Sequence, residues 1–400
     1  MEDEKFKIEK RFLEWVEKHI LLFCVIGVTL ISMIIRYSFR EIISNDAYWC
    51  LLPWYDVIKE NGGIYALGSQ VGDYNMLYQF IIAVFTYLPI EPLSAYKLLS
   101  CIFDYLLAAA MGYFVYFFSE KDRILKGTMA YMLVLMSPIV FLNSSYWGQC
   151  DAIYTFFCVA SLLAFCREKY PLTFVLYGVA FAFKLQAVFL LPFFLFAYFV
   201  KKKFSVLYFG LIPVMMVILS IPGLIMGRSV AEVFTIYLNQ TGSYKSITMN
   251  YPTFWNLLQS ANMDAFYINM KKPAIALTVV VIALLMVSWS VKKVPMTTRN
   301  MIYMAFLLAY TCVLILPSMH ERYGYLYEIL AILVAFLQIR TLPCLVGMYL
   351  ASFAIYGKYL FMFEINLPAL SIVNTLAYIG YIVILTREMF ENGERAERIE

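Results

Sequence analysis

Charge is scarce in this sequence. Only 14% of its 400 residues are Asp, Glu, Lys or Arg, and histidine occurs twice. A water-soluble domain carries about a quarter charged residues, so a soluble globule of this size is excluded. The eight cysteines show no CxxC or related metal spacing and sit mostly inside apolar runs, which marks them as small core residues rather than ligands. The acidic residues form no dense oxygen cluster, so no metal and no cofactor are expected, with a divalent ion at Asp46 and Asp56 as the open alternative. Internal repeats and low-complexity tracts are missing, and the net charge of +4 is too small and too dispersed for a nucleic-acid surface.

Apolar residues fill the gap, at 62%. They come in runs able to cross a ~30 Å hydrocarbon layer, for example 20–36, 97–118, 204–226 and 273–291. The runs lack the alternation of a barrel, and open strands would leave backbone groups unpaired in lipid. The expected fold is therefore all-α, a polytopic bundle of about 12 spans forming one membrane domain over 1–400. The first apolar run ends at Arg36 and Arg40 without a small-residue cleavage site, which reads as an uncleaved first span.

Basic residues orient the chain. If 76–89 lies along the interface instead of spanning, the termini, Lys121 to Lys126, Arg167 to Lys169, Lys201 to Lys203, Lys292 with Lys293, and Arg340 all fall on the cytoplasmic side. The opposite side then receives a first external loop (37–96), 143–151, the junction near Lys184, a long loop (227–272) and 318–323. A charged tail (387–400) is expected in the cytoplasm. Sequons at Asn143-Ser144-Ser145 and Asn239-Gln240-Thr241 lie on the external side, where glycans would crowd it, so a bacterial membrane is expected.

The chemically capable residues gather on that external side. Asp46 follows the first span, placed either to accept a proton from a hydroxyl or to cap a helix. Asp151, after Tyr146-Trp147-Gly148-Gln149-Cys150, is a charge at membrane depth, facing a cavity or capping the next helix. Lys184 and Gln186 interrupt an apolar stretch, where a compact cation suits a phosphate oxygen or snorkels to the surface. His320-Glu321-Arg322 sets an imidazole, a carboxylate and a phosphate-gripping guanidinium side by side. Tyr251 and Trp255 stand in Tyr-Pro-Thr-Phe-Trp-Asn, a composition suited to sugar or headgroup contact. Asp104 and Glu328 inside spans read as bonds between helices.

Taken in order, these pieces resemble the GT-C superfamily of integral membrane glycosyltransferases. They are most similar to bacterial relatives of the mannosyltransferase that adds the second mannose in glycosylphosphatidylinositol synthesis. A looser likeness links them to the dolichyl-phosphate-glucose-dependent glucosyltransferases, which carry a polar turn like 146–151, a Lys-Gln junction and a His-Glu-Lys element. The likeness spans about residues 20 to 340. It implies a polyprenyl-phosphate sugar donor, a glycan or glycolipid acceptor of the cell envelope, and inverting transfer with Asp46 as base. Many members pair two acids in the first loop, whereas Asp46 has no acidic neighbour, so Asp56 stays open as the base. The donor phosphate is expected at Lys184, His320 and Arg322, with Gln149, Asp151, Gln186, Glu321, Tyr251 and Trp255 binding substrate. The alternative is a transporter or flippase for lipid-linked saccharides, against which stands the absence of an inverted pair of broken helices.

Overall fold

A computed structural model describes residues 2–243, 245–258 and 263–397. Helices dominate, and the only sheet among the described residues is a two-residue parallel pairing of Thr248–Met249 with Met319–His320. Among the described residues, six helices are long and apolar enough to cross a membrane: Phe6–Ser38, Pro92–Phe118, Ala265–Val291, Thr298–Ile315, Ile339–Phe361 and Leu367–Glu391. A seventh span arises if Arg123–Leu135 and Pro138–Trp147, bent by 45°, count as one. This is fewer than the dozen expected. The shortfall lies in apolar runs broken by polar turns, which leave helices such as Asp151–Cys166, Tyr170–Phe183 and Tyr325–Leu337 at 16, 14 and 13 residues, below the ~20 that a full crossing takes.

Position in the bundle follows from composition. Thr298–Ile315 and Tyr325–Leu337, buried along almost their whole length, form the centre with Asp151–Cys166. Phe6–Ser38 and Ala265–Val291 keep most of their apolar side chains outward, as helices facing lipid do. Close approach between Pro92–Phe118 and Arg123–Leu135 depends on Gly112 and Gly127, since a Cβ on either would stand 2.8 Å from the other's carbonyl oxygen. Met76–Phe85 has ten residues, about 15 Å at helical rise, half of what a span requires. Asn75 caps its first turn.

Two buried connections fix where the chain leaves the first helix. Arg36 pairs with Asp104 at 2.9 Å and also donates to the Leu135 carbonyl at 3.2 Å. Lys97 donates to the carbonyls of Phe39 and Ile42 at 2.6 Å each, just past the end of the first helix at Ser38. Asp46 is thereby held against the bundle. The basic turns meet at the other end, where Lys201 lies 2.9 Å from Glu168 and Arg299 lies 2.6 Å from Glu388.

The long loop and the tail both carry secondary structure. Residues 227–272 contain the helix Glu232–Ser243, a short strand, and the start of the helix Met263–Val291; residues 244 and 259–262 of that segment lie outside the described residues. The 387–400 tail continues the helix Leu367–Glu397, supported by an i,i+4 pair of Arg387 with Glu391 at 3.0 Å; residues 398–400 lie outside the described residues.

Candidate active site

Asp46 ends the segment after the first helix and begins a π-helical turn, Ala47–Leu51. A second π-helical turn, Leu142–Trp147, faces it, and such turns recur at functional sites. Ser44 Oγ donates to the Trp147 carbonyl at 2.6 Å and clasps the two turns together. The Asp46 carboxylate then receives three neutral donors: Trp147 Nε1 at 3.0 Å and Gln149 Nε2 at 2.6 Å on Oδ2, and the Tyr359 hydroxyl at 2.5 Å on Oδ1. A carboxylate offers about four lone-pair sites, so one stays open for a substrate hydroxyl. Its side chain is 20% exposed, which leaves that site within reach.

Asp151 is fully buried. Lys184 Nζ contacts its Oδ1 at 2.6 Å, and Asn143 Nδ2 donates to its Oδ2 at 3.0 Å. Arg322 bridges the two acids, with Nη1 3.7 Å from Asp46 and Nε 3.6 Å from Asp151. Both distances exceed a hydrogen bond. Its guanidinium lies over the Trp147 ring, 5.3 Å from the centroid. Burial opposes the cation, but Asp151 and Asp46 outweigh it and raise the pKa above the ordinary arginine value. Arg322 is a permanent cation with N–H groups to spare.

His320 and Glu321 sit beside this cluster. Glu321 Oε2 is 3.4 Å from His320 Nδ1, and its Oε1 accepts from Asn250 at 3.2 Å. The pairing of Thr248–Met249 with Met319–His320 ties the 246–257 segment to the His-Glu-Arg turn. Gln149 also accepts from the Tyr74 hydroxyl at 3.0 Å.

Asp46, Gln149, Asp151, Lys184, His320, Glu321 and Arg322 thus converge from four distant turns. Four expected residues do not join them. Asp56 is exposed on the helix Leu52–Glu60, and no described hydrogen bond or ion pair links it to the cluster. Tyr251 turns inward to Tyr327 and Glu328, and Trp255 donates to the Ile315 carbonyl at 2.5 Å, so both polar groups serve the core. Gln186 is buried in the short helix Leu185–Leu190. Sequence reasoning missed Asn143, which holds Asp151, and Tyr359, one of 32 tyrosines and embedded in an apolar run.

The sequence model of a family described as Glycosyltransferase family 87 matches residues 74–317, more than half of the chain. This chain belongs to glycosyltransferase family 87. The family is of the GT-C type, so the expected superfamily and a transferase activity both hold, and a transporter is not favoured. No curated protein matches the chain. The family 87 match contains Asp151 and Lys184 but stops short of Asp46 on one side and of His320 to Arg322 on the other. Folding supplies what the matched stretch lacks by bringing those flanks onto Asp151.

Proposed function

We propose that this family 87 protein moves a hexose, with inversion, from a polyprenyl-phosphate-linked donor to a cell-envelope glycan or lipid acceptor at the extracytoplasmic face. The observation carrying this reading is Arg322 suspended between Asp46 and Asp151 at 3.7 and 3.6 Å. A guanidinium held by charge without direct hydrogen bonds to either acid keeps its planar fork available to a phosphate. Lys184 spends one of three ammonium donors on Asp151, and His320 lies alongside. Negative charge developing on the departing phosphate meets fixed cations in a water-poor setting, where each interaction counts for more.

Asp46 accepts the acceptor's hydroxyl proton at its open lone pair while the oxygen attacks the anomeric carbon. The carbon–oxygen bond to phosphate breaks, and polyprenyl phosphate leaves with the electron pair. Of the other acids of the cluster, Asp151, the one paired with Arg322, has both oxygens engaged by Lys184 and Asn143, which disfavours it as a nucleophile and favours a single displacement. The extracytoplasmic placement rests on the basic turns at the opposite end of the bundle.

The test is sugar transfer in membranes from synthetic farnesyl phosphates carrying mannose or glucose. Asp46→Asn, Lys184→Ala and Arg322→Ala are each expected to lose about 10²-fold or more. Full activity in all three variants overturns the mechanism.

A further inference from the structure

A second polar feature borders the cluster. The helix Leu342–Phe361 ends at Gly357–Phe361 and turns back through Met362, whose φ of 56° is left-handed. The Phe363 amide donates to the Gly357 carbonyl at 3.3 Å, closing the helix end. Phe363 then lies against Gly357, so closely that a Cβ there would stand 2.9 Å from its ring. An open cavity of about 460 Å³ results, lined by Lys358, Met362, Phe363, Glu364 and Ile365. That volume lies within the roughly 300–1,000 Å³ of small-molecule sites.

The helix end that borders the cavity also sends hydrogen bonds toward the reaction centre at two points. Tyr359, next to Lys358, holds Asp46. Lys358 Nζ donates to Asn250 Oδ1 at 3.3 Å, and Asn250 donates in turn to Glu321 beside His320. Among the described residues Lys358 has no ion pair and no other hydrogen bond, and Glu364 has neither. An ammonium with free donors, a carboxylate with free acceptor sites and a 60% exposed phenyl ring offer what a sugar demands. Vicinal hydroxyls both give and receive hydrogen bonds, and the C–H face of the ring packs on an aromatic surface. A purely anionic ligand fits less well, because Glu364 would repel it.

We propose that the Lys358–Glu364 cavity is the acceptor subsite and that it recognises a saccharide, so the acceptor carries a sugar next to the hydroxyl that is glycosylated. This rests on Asp46 being the base but concerns a separate step, the capture of the acceptor. Phe363 supplies the stacking face, while Lys358 and Glu364 read hydroxyl positions. The helix end holds the ring in place through the absence of a side chain at residue 357.

Two measurements on the full chain in lipid nanodiscs separate this idea from the mechanism above. The first is binding of hexyl mannoside and hexyl glucoside without donor, followed by saturation-transfer NMR. The unmodified protein and Asp46→Asn are expected to bind one of them, whereas Lys358→Ala, Glu364→Gln and Phe363→Ala weaken it at least tenfold and Phe363→Tyr restores it. Gly357→Ala, which displaces the ring without removing it, is expected to fall between. The second is transfer from farnesyl-phosphate sugars, where Phe363→Ala is expected to raise the acceptor KM at least tenfold with the donor KM within twofold. Binding of neither glycoside, binding that ignores all three variants, or equal changes in both KM values would overturn the subsite, the last marking the turn as a membrane-interface anchor. Unimpaired transfer by Asp46→Asn would instead overturn the base and leave the binding result standing.

Discussion

The Tyr359 hydroxyl donates a 2.5 Å hydrogen bond to Oδ1 of Asp46, joining residues 313 positions apart. The same ring stacks on Trp147 at 4.7 Å, and Trp147 holds the other oxygen of the carboxylate. Asp46 is therefore fixed from two sides by a stacked pair, an arrangement that sets the direction of its open lone pair.

Tyr359→Phe tests that role with little disturbance, since the stack survives and only the hydroxyl goes. A hydrogen bond to a charged group is worth about 1.5–3 kcal/mol. We expect kcat to fall roughly tenfold or more through misorientation of the base, with donor KM within twofold and an unchanged thermal midpoint. An unchanged kcat would show that Trp147 and Gln149 suffice to orient Asp46.

The buried Lys184–Asp151 pair makes a prediction about stability. Removing one partner of a buried ion pair costs about 3–5 kcal/mol, because the other charge is stranded, while neutralising both is often tolerated. Lys184→Met should lower the unfolding midpoint in detergent, and the double variant Lys184→Met/Asp151→Asn should recover most of it without regaining transfer. Recovery of activity along with stability would make the pair structural only.

Much of this was legible in the sequence because a charge in an apolar run has few innocent explanations. Asp151 and Lys184 stood out for that reason, Asp46 and Arg322 as charges just beyond the end of such a run, and the structure brings them together. Tyr359 did not, since a phenol in a membrane helix is ordinary and its partner lies 313 positions away. Tyr251 and Trp255 misled in the opposite sense: composition reveals an aromatic, but not whether its polar atom faces a cavity or a neighbouring carbonyl. The two π-helical turns that shape the site carry no sequence signal either, because the extra residue per turn is chosen by packing.

The glycine contact between two helices offers a packing test remote from the chemistry. A Cβ on Gly127 would stand 2.8 Å from the Gly112 carbonyl oxygen and 3.1 Å from Tyr116 Cβ, and backbone cannot step aside. Overpacking of this sort costs about 1–3 kcal/mol, so Gly127→Val should depress the thermal midpoint. Gly27→Ala, with nothing within 4 Å of its added carbon, should not. Equal midpoints for the two variants would show that these helices slide freely past one another.

Two acids of the first loop are candidates for the base, and their surroundings differ. Asp46 has three donors, an adjacent cation and one open lone pair. Asp56 points outward from the helix Leu52–Glu60. A general base contributes about 10²- to 10⁴-fold, so Asp46→Asn should lose transfer on that scale with donor binding intact, whereas Asp56→Asn should stay within threefold of the unmodified protein. Loss confined to Asp56→Asn would mean that the outer helix swings inward when substrate binds, and that the resting cluster around Asp46 orders the fold instead of moving the proton.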